Sequence, residues 1–369
     1  MKGDGSHVST KQQPTFWLAA AGLFGAALAL ALAFVAVVRA DESPSPVTNA
    51  MGMGMSMSGS GSMMAHMSPA PMDGVPDAEA DRGGRPLPYR VENGVWVFSL
   101  EAKPVRWEIL PGERVTAWTY NGTVPGPEFR VPYGQRVRIV VTNSLPEETT
   151  VHWHGVDVPN AMDGVPDVTQ DPIEPGGSYT YEFEAVPAGR DSAGGTFFYH
   201  SHVDEDRQMG LGLSGAFVIE PRQPQRYDVE RTVVIQEWTM SPATGATWPS
   251  MEMAGMLPNF FTLNGKSYPA TETVKMKVGQ KALFRLVGAG AFTHPMHLHG
   301  TDFTVLAKDG HPLDSPFEAD VIQVASGERY DIAFTPNRPG TWVFHCHIGH
   351  HLTNDGEGPG GLLMVVEVT

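Results

Sequence analysis

"GTWVFHCH" at 340–347 and "GTFFYHSH" at 195–202 decide how the chain is read. Each is a short run of aromatic and β-branched residues that ends in a His-x-His pair. In a strand, residues i and i+2 face the same way, so each pair aims two imidazoles at one face. A second pair precedes each run, "HWHG" at 152–155 and "HLHG" at 297–300. His152 and His200 are 48 residues apart, and so are His297 and His345. The flanks match as well: "NG" at 121–122 and 264–265 precedes "GQRVRIVV" from 134 and "GQKALFRLV" from 279. Equal spacing with matching flanks identifies an internal duplication.

Around these landmarks, runs rich in Val, Thr, Phe and Tyr alternate with Gly, Pro and Asn turns, as in "YTYEFEA", "GAFVIEP", "FTVLA", "YDIAFTP" and "LLMVVEV". Many short strands at close spacing predict β-sandwiches. No segment after residue 88 carries a helical apolar period. The expected fold is all-β, with one sandwich over 87–225 and a second over 226–369, joined near 222–230 by a short Pro-containing connection.

The first 86 residues read differently. Residues 16–38 form an uncharged 23-residue run, long enough to span a bilayer. Lys2 and Lys11 precede it, which puts the N-terminus in the cytoplasm and the rest outside. A secretory signal peptide is the alternative reading of residues 1–40. Both readings export the protein, to the extracellular face or the periplasm. Residues 41–86 are rich in Ser, Gly, Pro, Met and Asp and lack an apolar period, so a disordered linker is expected. Its stretch 51–72 holds eight methionines and His66. Thioethers suit Cu(I), so the linker is either a plain tether or one that also collects copper. A net charge of −16 with no basic run excludes nucleic acid as a partner.

The chain has 14 histidines and one cysteine. Four His-x-His pairs supply His152, His154, His200, His202, His297, His299, His345 and His347. Imidazole suits Cu, Zn, Fe and Ni. Eight nitrogen ligands without a carboxylate cluster fit a multinuclear copper site better than zinc, which needs three or four ligands. His294, Cys346 and His351 remain. Two His and one Cys are the ligand set of a blue-copper electron-transfer site. Strand alternation then turns Cys346 towards that site and its neighbours His345 and His347 towards the cluster. The equivalent positions in the first half are Thr149, Ser201 and Asp206, so that half is expected to lack a mononuclear copper. His350 and His311 are left over as spare and surface residues.

"HWHG", "HSH", "HPMHLH" and "HCHIGHH" resemble the four copper signatures of the multicopper oxidases. "YNGTVPGPEFRVPYGQRVRIVVTN" (120–143) is similar to the first cupredoxin domain of that family. With two signatures per half, the chain resembles the two-domain laccases. The resemblance implies two cupredoxin-like Greek-key domains. It also implies four coppers per chain: a type 1 copper, a type 2 copper on His152 and His297, and a type 3 pair on His154, His200, His202, His299, His345 and His347. Asp163, nine residues after His154 in "AMDGVPD", corresponds to an aspartate that delivers protons to oxygen in such oxidases. The same "MDGVPD" recurs at 72–77, where it has no histidine pair beside it. The family's axial group follows a Gly shortly after the last histidine ligand. Here "LTNDGEGPGG" intervenes, and Leu362, with no ligating atom, is expected there, with Met364 on the same strand face as the alternative.

These residues lead to an oxidase that couples four one-electron oxidations of phenols or aromatic amines to reduction of O2 to water. Oxidation of Cu(I) is the alternative, suggested by the linker and by "WPSMEMAGM" at 248–256. A copper nitrite reductase would carry its cysteine where Ser201 stands. A copper carrier without catalysis would not need eight paired histidines. The short connection, together with the resemblance, leads to a homotrimer whose clusters form between chains.

Overall fold

In the computed structural model, residues 68–189, 194–250 and 257–369 are described. The hydrophobic run at 16–38, the methionines at 51–67 and Met251, Met253 and Met256 lie outside them. No helix of the described residues is long and apolar enough to cross a membrane. They are nearly all strand and loop, with one six-residue α-helix, Glu205–Gly210.

The first domain pairs a five-stranded sheet built around Val95–Leu110 and Arg136–Asn143 with a four-stranded sheet. The four-stranded sheet runs Gly126–Pro132, Ser214–Glu220, Gly195–His200, His152–His154. The second domain pairs a seven-stranded sheet with a five-stranded one, in which Leu363–Val368, Gly340–Cys346 and His294–Leu298 are neighbours. Each domain has its own buried core, with Phe129, Trp153 and Phe217 in the first and Phe284, Ile332 and Phe344 in the second. The two-layer sandwiches expected from the strand pattern, and the cupredoxin-like fold that the resemblance implies, are therefore present.

The 48-residue spacing has a direct structural meaning. His152 lies opposite His200 across one antiparallel ladder, and His297 opposite His345 across the other. Directly opposed residues of an antiparallel pair bring their side chains together on one face. Burial alternates accordingly. His294, Met296 and Leu298 are buried while His297 and His299 are not, and Phe344 and Cys346 are buried while His345 and His347 are not.

The two domains are packed together. Val105, Trp107, Val124, Trp238, Met240 and Phe260 form a shared apolar cluster, and Trp107 Nε1 donates to Gly265 O at 2.7 Å. A chain of charges crosses the same boundary. Arg285 pairs with Asp331 and Glu230, and Arg130 pairs with Glu230 and Glu128.

Residues 68–86 depart from the expectation of a disordered linker. Ala70 is 2% exposed and its N–H donates to Thr247 O. Arg106 N donates to Pro76 O, Ala78 N to Arg106 O, and Leu87 N to Glu128 O. Main-chain hydrogen bonds to existing strands hold this segment. They need no apolar periodicity, which is why the composition misled.

Candidate metal centres

His294, Cys346 and His351 converge in the second domain with all three side chains buried. His294 Nδ1 lies 3.0 Å from His351 Nδ1, and Cys346 Sγ lies 3.5 Å from His351 Nδ1. His294 and Cys346 come from adjacent strands. His351 comes from the short 3-10 turn Gly349–Leu352 that follows, and Phe261 stacks on its ring at 4.4 Å. Gly361 (φ +57°) closes the loop, because a Cβ there would overlap His351 O. Leu362 N then donates to His351 O at 2.9 Å, and Leu362 O accepts from Cys346 N at 3.0 Å. Leu362 is thus tied by its backbone to two of the three residues, whereas Met364 pairs with Phe344 further along the strand. Burial pushes the Cys346 thiol up to about 11 and His351 down to about 4. The imidazole is held neutral, with a lone pair to offer.

The first-domain quartet is His152, His154, His200 and His202. His152 Nδ1 donates to Asp163 O at 2.7 Å and His200 Nδ1 to Ser201 O at 2.8 Å. A carbonyl only accepts, so these bonds set the tautomer and leave Nε2 as the free donor atom. His200 Nε2 and His154 Nδ1 are buried and have no hydrogen-bond partner. Two unpartnered ring nitrogens in one histidine group suit metal ligation, since buried polar atoms are otherwise paired. Burial pushes His200 and His154 down to about 3, and the Arg329 guanidinium adds to the effect at His154.

The second-domain quartet repeats the pattern. His297 Nδ1 donates to Asp320 O and His345 Nδ1 to Cys346 O, each at 2.7 Å. His299 Nε2 and His345 Nε2 face each other at 2.9 Å. His299 and His347 are exposed. Among the described residues, no ring contact joins one quartet to the other. What faces the first quartet within the chain is a turn of the second domain. A Cβ on Gly327 would lie 3.3 Å from His154 Cε1, and Arg329 sits over Phe198, the ring between His154 and His200.

The first domain's counterpart of the mononuclear site is filled by hydrogen bonds. Thr149 Oγ1 and Ser201 Oγ lie 3.2 Å apart, and Gln208 Oε1 accepts from both at 2.7 and 2.6 Å. Thr149 and Ser201 are the expected equivalents. The third is Gln208 rather than Asp206, because Asp206 is exposed on the short helix and Gln208 points inward. Asp163 is half-exposed, with Oδ1 3.5 Å from His152 Nδ1. His350 is exposed beside Pro258 O. One site residue left no sequence signal. Glu237, 1% exposed, lies 3.2 Å from His294 Nε2.

Two packed sandwiches, a buried His–Cys–His set and paired histidine quartets define a copper protein of the cupredoxin class. Family models described as multicopper oxidase match residues 101–224 and 241–358, and the chain belongs to the multicopper oxidases. Multicopper oxidase MmcO of Mycobacterium tuberculosis is 32% identical over 267 residues, 64% of this chain and 51% of that protein. Copper resistance protein A of Pseudomonas syringae pv. tomato is 29% identical over 295 residues, 67% of this chain and 46% of that protein. The solved multicopper oxidase mgLAC superposes with a TM-score of 0.69 at 36% identity, over 74% of this chain and 86% of that one. The chain thus spans about half the length of these curated relatives. The family's cofactor is copper, which suits the donor sets found here.

Proposed function

We propose that the protein is a laccase-like oxidase. It removes electrons singly from a phenol or aromatic amine at the His294–Cys346–His351 centre and passes four of them, with four protons, to O2 at a centre made by the two quartets, giving two waters. One observation carries this reading: a sulfur-containing donor set and an all-nitrogen donor set meet at a single residue. Cys346 shares a peptide bond with His345, and Cys346 O accepts from His345 Nδ1 at 2.7 Å. Copper, once bound, supplies the one-electron chemistry. The protein's own part is to bury His154, His200 and His351 so that their imidazoles stay neutral, to set tautomers through backbone carbonyls, and to keep the cysteine away from solvent. His152 and His297 are assigned to a type 2 copper and the other six paired histidines to a type 3 pair, with Leu362 as the non-ligating residue beside the mononuclear centre. Asp163 is assigned to proton delivery through its place beside His152.

Cu(I) is the second candidate donor. The methionines of 51–67 and the name of the Pseudomonas syringae relative favour it. The hydrophobic run at 16–38 supports export.

The quartets are separate within the chain, and two second-domain ligands are exposed. We therefore assign the complete cluster to an interface between copies, closed as a homotrimer.

The test is copper content, colour and oxygen uptake. Four coppers per chain, a blue band and O2 consumption with phenols are expected, with Cu(I) as the comparison donor. Cys346→Ser should abolish the blue band and substrate oxidation while retaining copper on the histidines. A blue, active Cys346→Ser protein would refute the assignment.

A further inference from the structure

Glu237 lies on the strand Val229–Met240, 57 residues from His294 in sequence. Its side chain is 1% exposed. Oε1 accepts from the backbone N–H groups of Ala291 and Phe292, the latter at 2.9 Å, and Oε2 lies 3.2 Å from His294 Nε2. The backbone makes room for this carboxylate, since a Cβ on Gly290 would overlap it. Among the described residues its one ion-pair partner is His294, with no Lys or Arg. A buried carboxylate without a cation is costly, and a half-satisfied one more so than an apolar residue. The two backbone N–H groups satisfy Oε1, and His294 is the partner facing Oε2.

We propose that Glu237 is a positioning residue that holds His294 as the Nε2–H tautomer and lowers the reduction potential of the copper bound beside Cys346. This rests on the copper reading above. Both carboxylate oxygens act as acceptors, so Nε2 carries the proton and Nδ1, 3.0 Å from His351 Nδ1, is left to the metal. Charge decides the sign of the effect. Cu(II), a thiolate and the Glu237 carboxylate sum to zero, whereas Cu(I) with the same groups leaves one net negative charge in an apolar core. The carboxylate therefore favours the oxidised form. Replacing it with an amide leaves the reduced form neutral and the oxidised form with one positive charge, which favours reduction.

The experiment measures the type 1 reduction potential of copper-loaded Glu237→Gln against ferrocyanide, alongside its visible spectrum. A retained blue band is expected, with the equilibrium constant for taking an electron raised at least tenfold, about 59 mV for one electron. Glu237→Asp keeps the charge and should shift the potential less. If Glu237→Gln fails to fold, Gly290→Ala carries the test. It keeps the carboxylate but pushes it off His294, and the potential should again rise. A blue variant whose potential is unchanged or lower overturns the proposal. A colourless copper-loaded parent protein would instead overturn the oxidase reading beneath it.

Discussion

Cys346 faces the core while His345 and His347 face outward, so adjacent residues of one strand serve the two proposed metal centres. The buried histidines of those centres make a prediction about the metal-free protein. Burial pushes His154 and His200 down to about 3 and His351 to about 4. In the unfolded chain they would titrate near 6.5. Between those values the unfolded chain binds protons that the folded one refuses, so stability is full above about pH 6.5 and falls as pH drops towards 3–4. Urea midpoints of metal-free protein should decline from pH 7 to pH 4.5, and His200→Phe should flatten the decline. A pH-independent midpoint would contradict the burial. Asp163 is the other residue-scale test. Asp163→Asn keeps the carbonyl that orients His152 but cannot exchange a proton. Copper content and the blue band should persist, with reoxidation by O2 slowed. Normal reoxidation would reduce Asp163 to a turn residue ahead of Gly164. That glycine is required, at φ +83°, because a Cβ would overlap Val151 O. The duplicate "MDGVPD" at 72–77 also places its glycine, Gly74, at positive φ, so the hexapeptide encodes a turn in both places.

Strand alternation and register explain how two copies of one element do different work. In both domains the His-x-His strand lies against the strand that carries the other pair. In the second domain the residue between the paired histidines is a thiol that meets two imidazoles. In the first it is a hydroxyl that meets Gln208. The Thr149–Ser201–Gln208 group is fully buried, and Gln208 Nε2 also donates to Glu148 O at 2.8 Å. Gln208→Leu removes the shared acceptor and leaves buried hydroxyls short of partners, at a cost of about 1–3 kcal/mol. Urea unfolding should read that loss, and an unchanged midpoint would mean the network is dispensable. The equivalence of Ser201 and Cys346 was legible because the 48-residue spacing carries over register by register. Gln208 was not, because the first domain replaces the turn after the ligand strand with a helix, which changes which residue points inward.

The two domains of one chain are held by the apolar cluster around Trp107 and Trp238, by the Arg130–Glu230 ion pair at 2.9 Å, and by Thr196, which accepts from Arg285 Nη1 at 3.0 Å and donates to Asp331. This packing places the turn at Gly327, rather than the second quartet, against His154. On the proposed assembly, another copy completes the cluster. A mixing experiment checks this. One chain carries His152→Ala and His154→Ala, the other His297→Ala and His299→Ala, and each alone should be inactive. Co-refolded in equal amounts with copper, about a quarter of heterologous interfaces join two intact halves. Activity should recover in proportion and fall on dilution. Full activity in a proven monomer, or no recovery from well-folded mixed oligomers, would sink the assembly.

The sequence by itself determined the two sandwiches, the candidate donor residues and the division between the cysteine's face and the histidines' face. Those properties follow from local strand geometry, where side chains alternate at every residue, and from a duplication that repeats one register. Only the tertiary structure decided the rest. Residues 68–86 are held by backbone hydrogen bonds, which leave no trace in composition. Glu237 reaches His294 because Val229–Met240 runs parallel beside Ala282–Gly288, which brings its side chain to the segment leading into His294, a contact between segments far apart in the chain. The separation of the quartets likewise depends on how two domains pack, and the alternation within a strand carries no information about that.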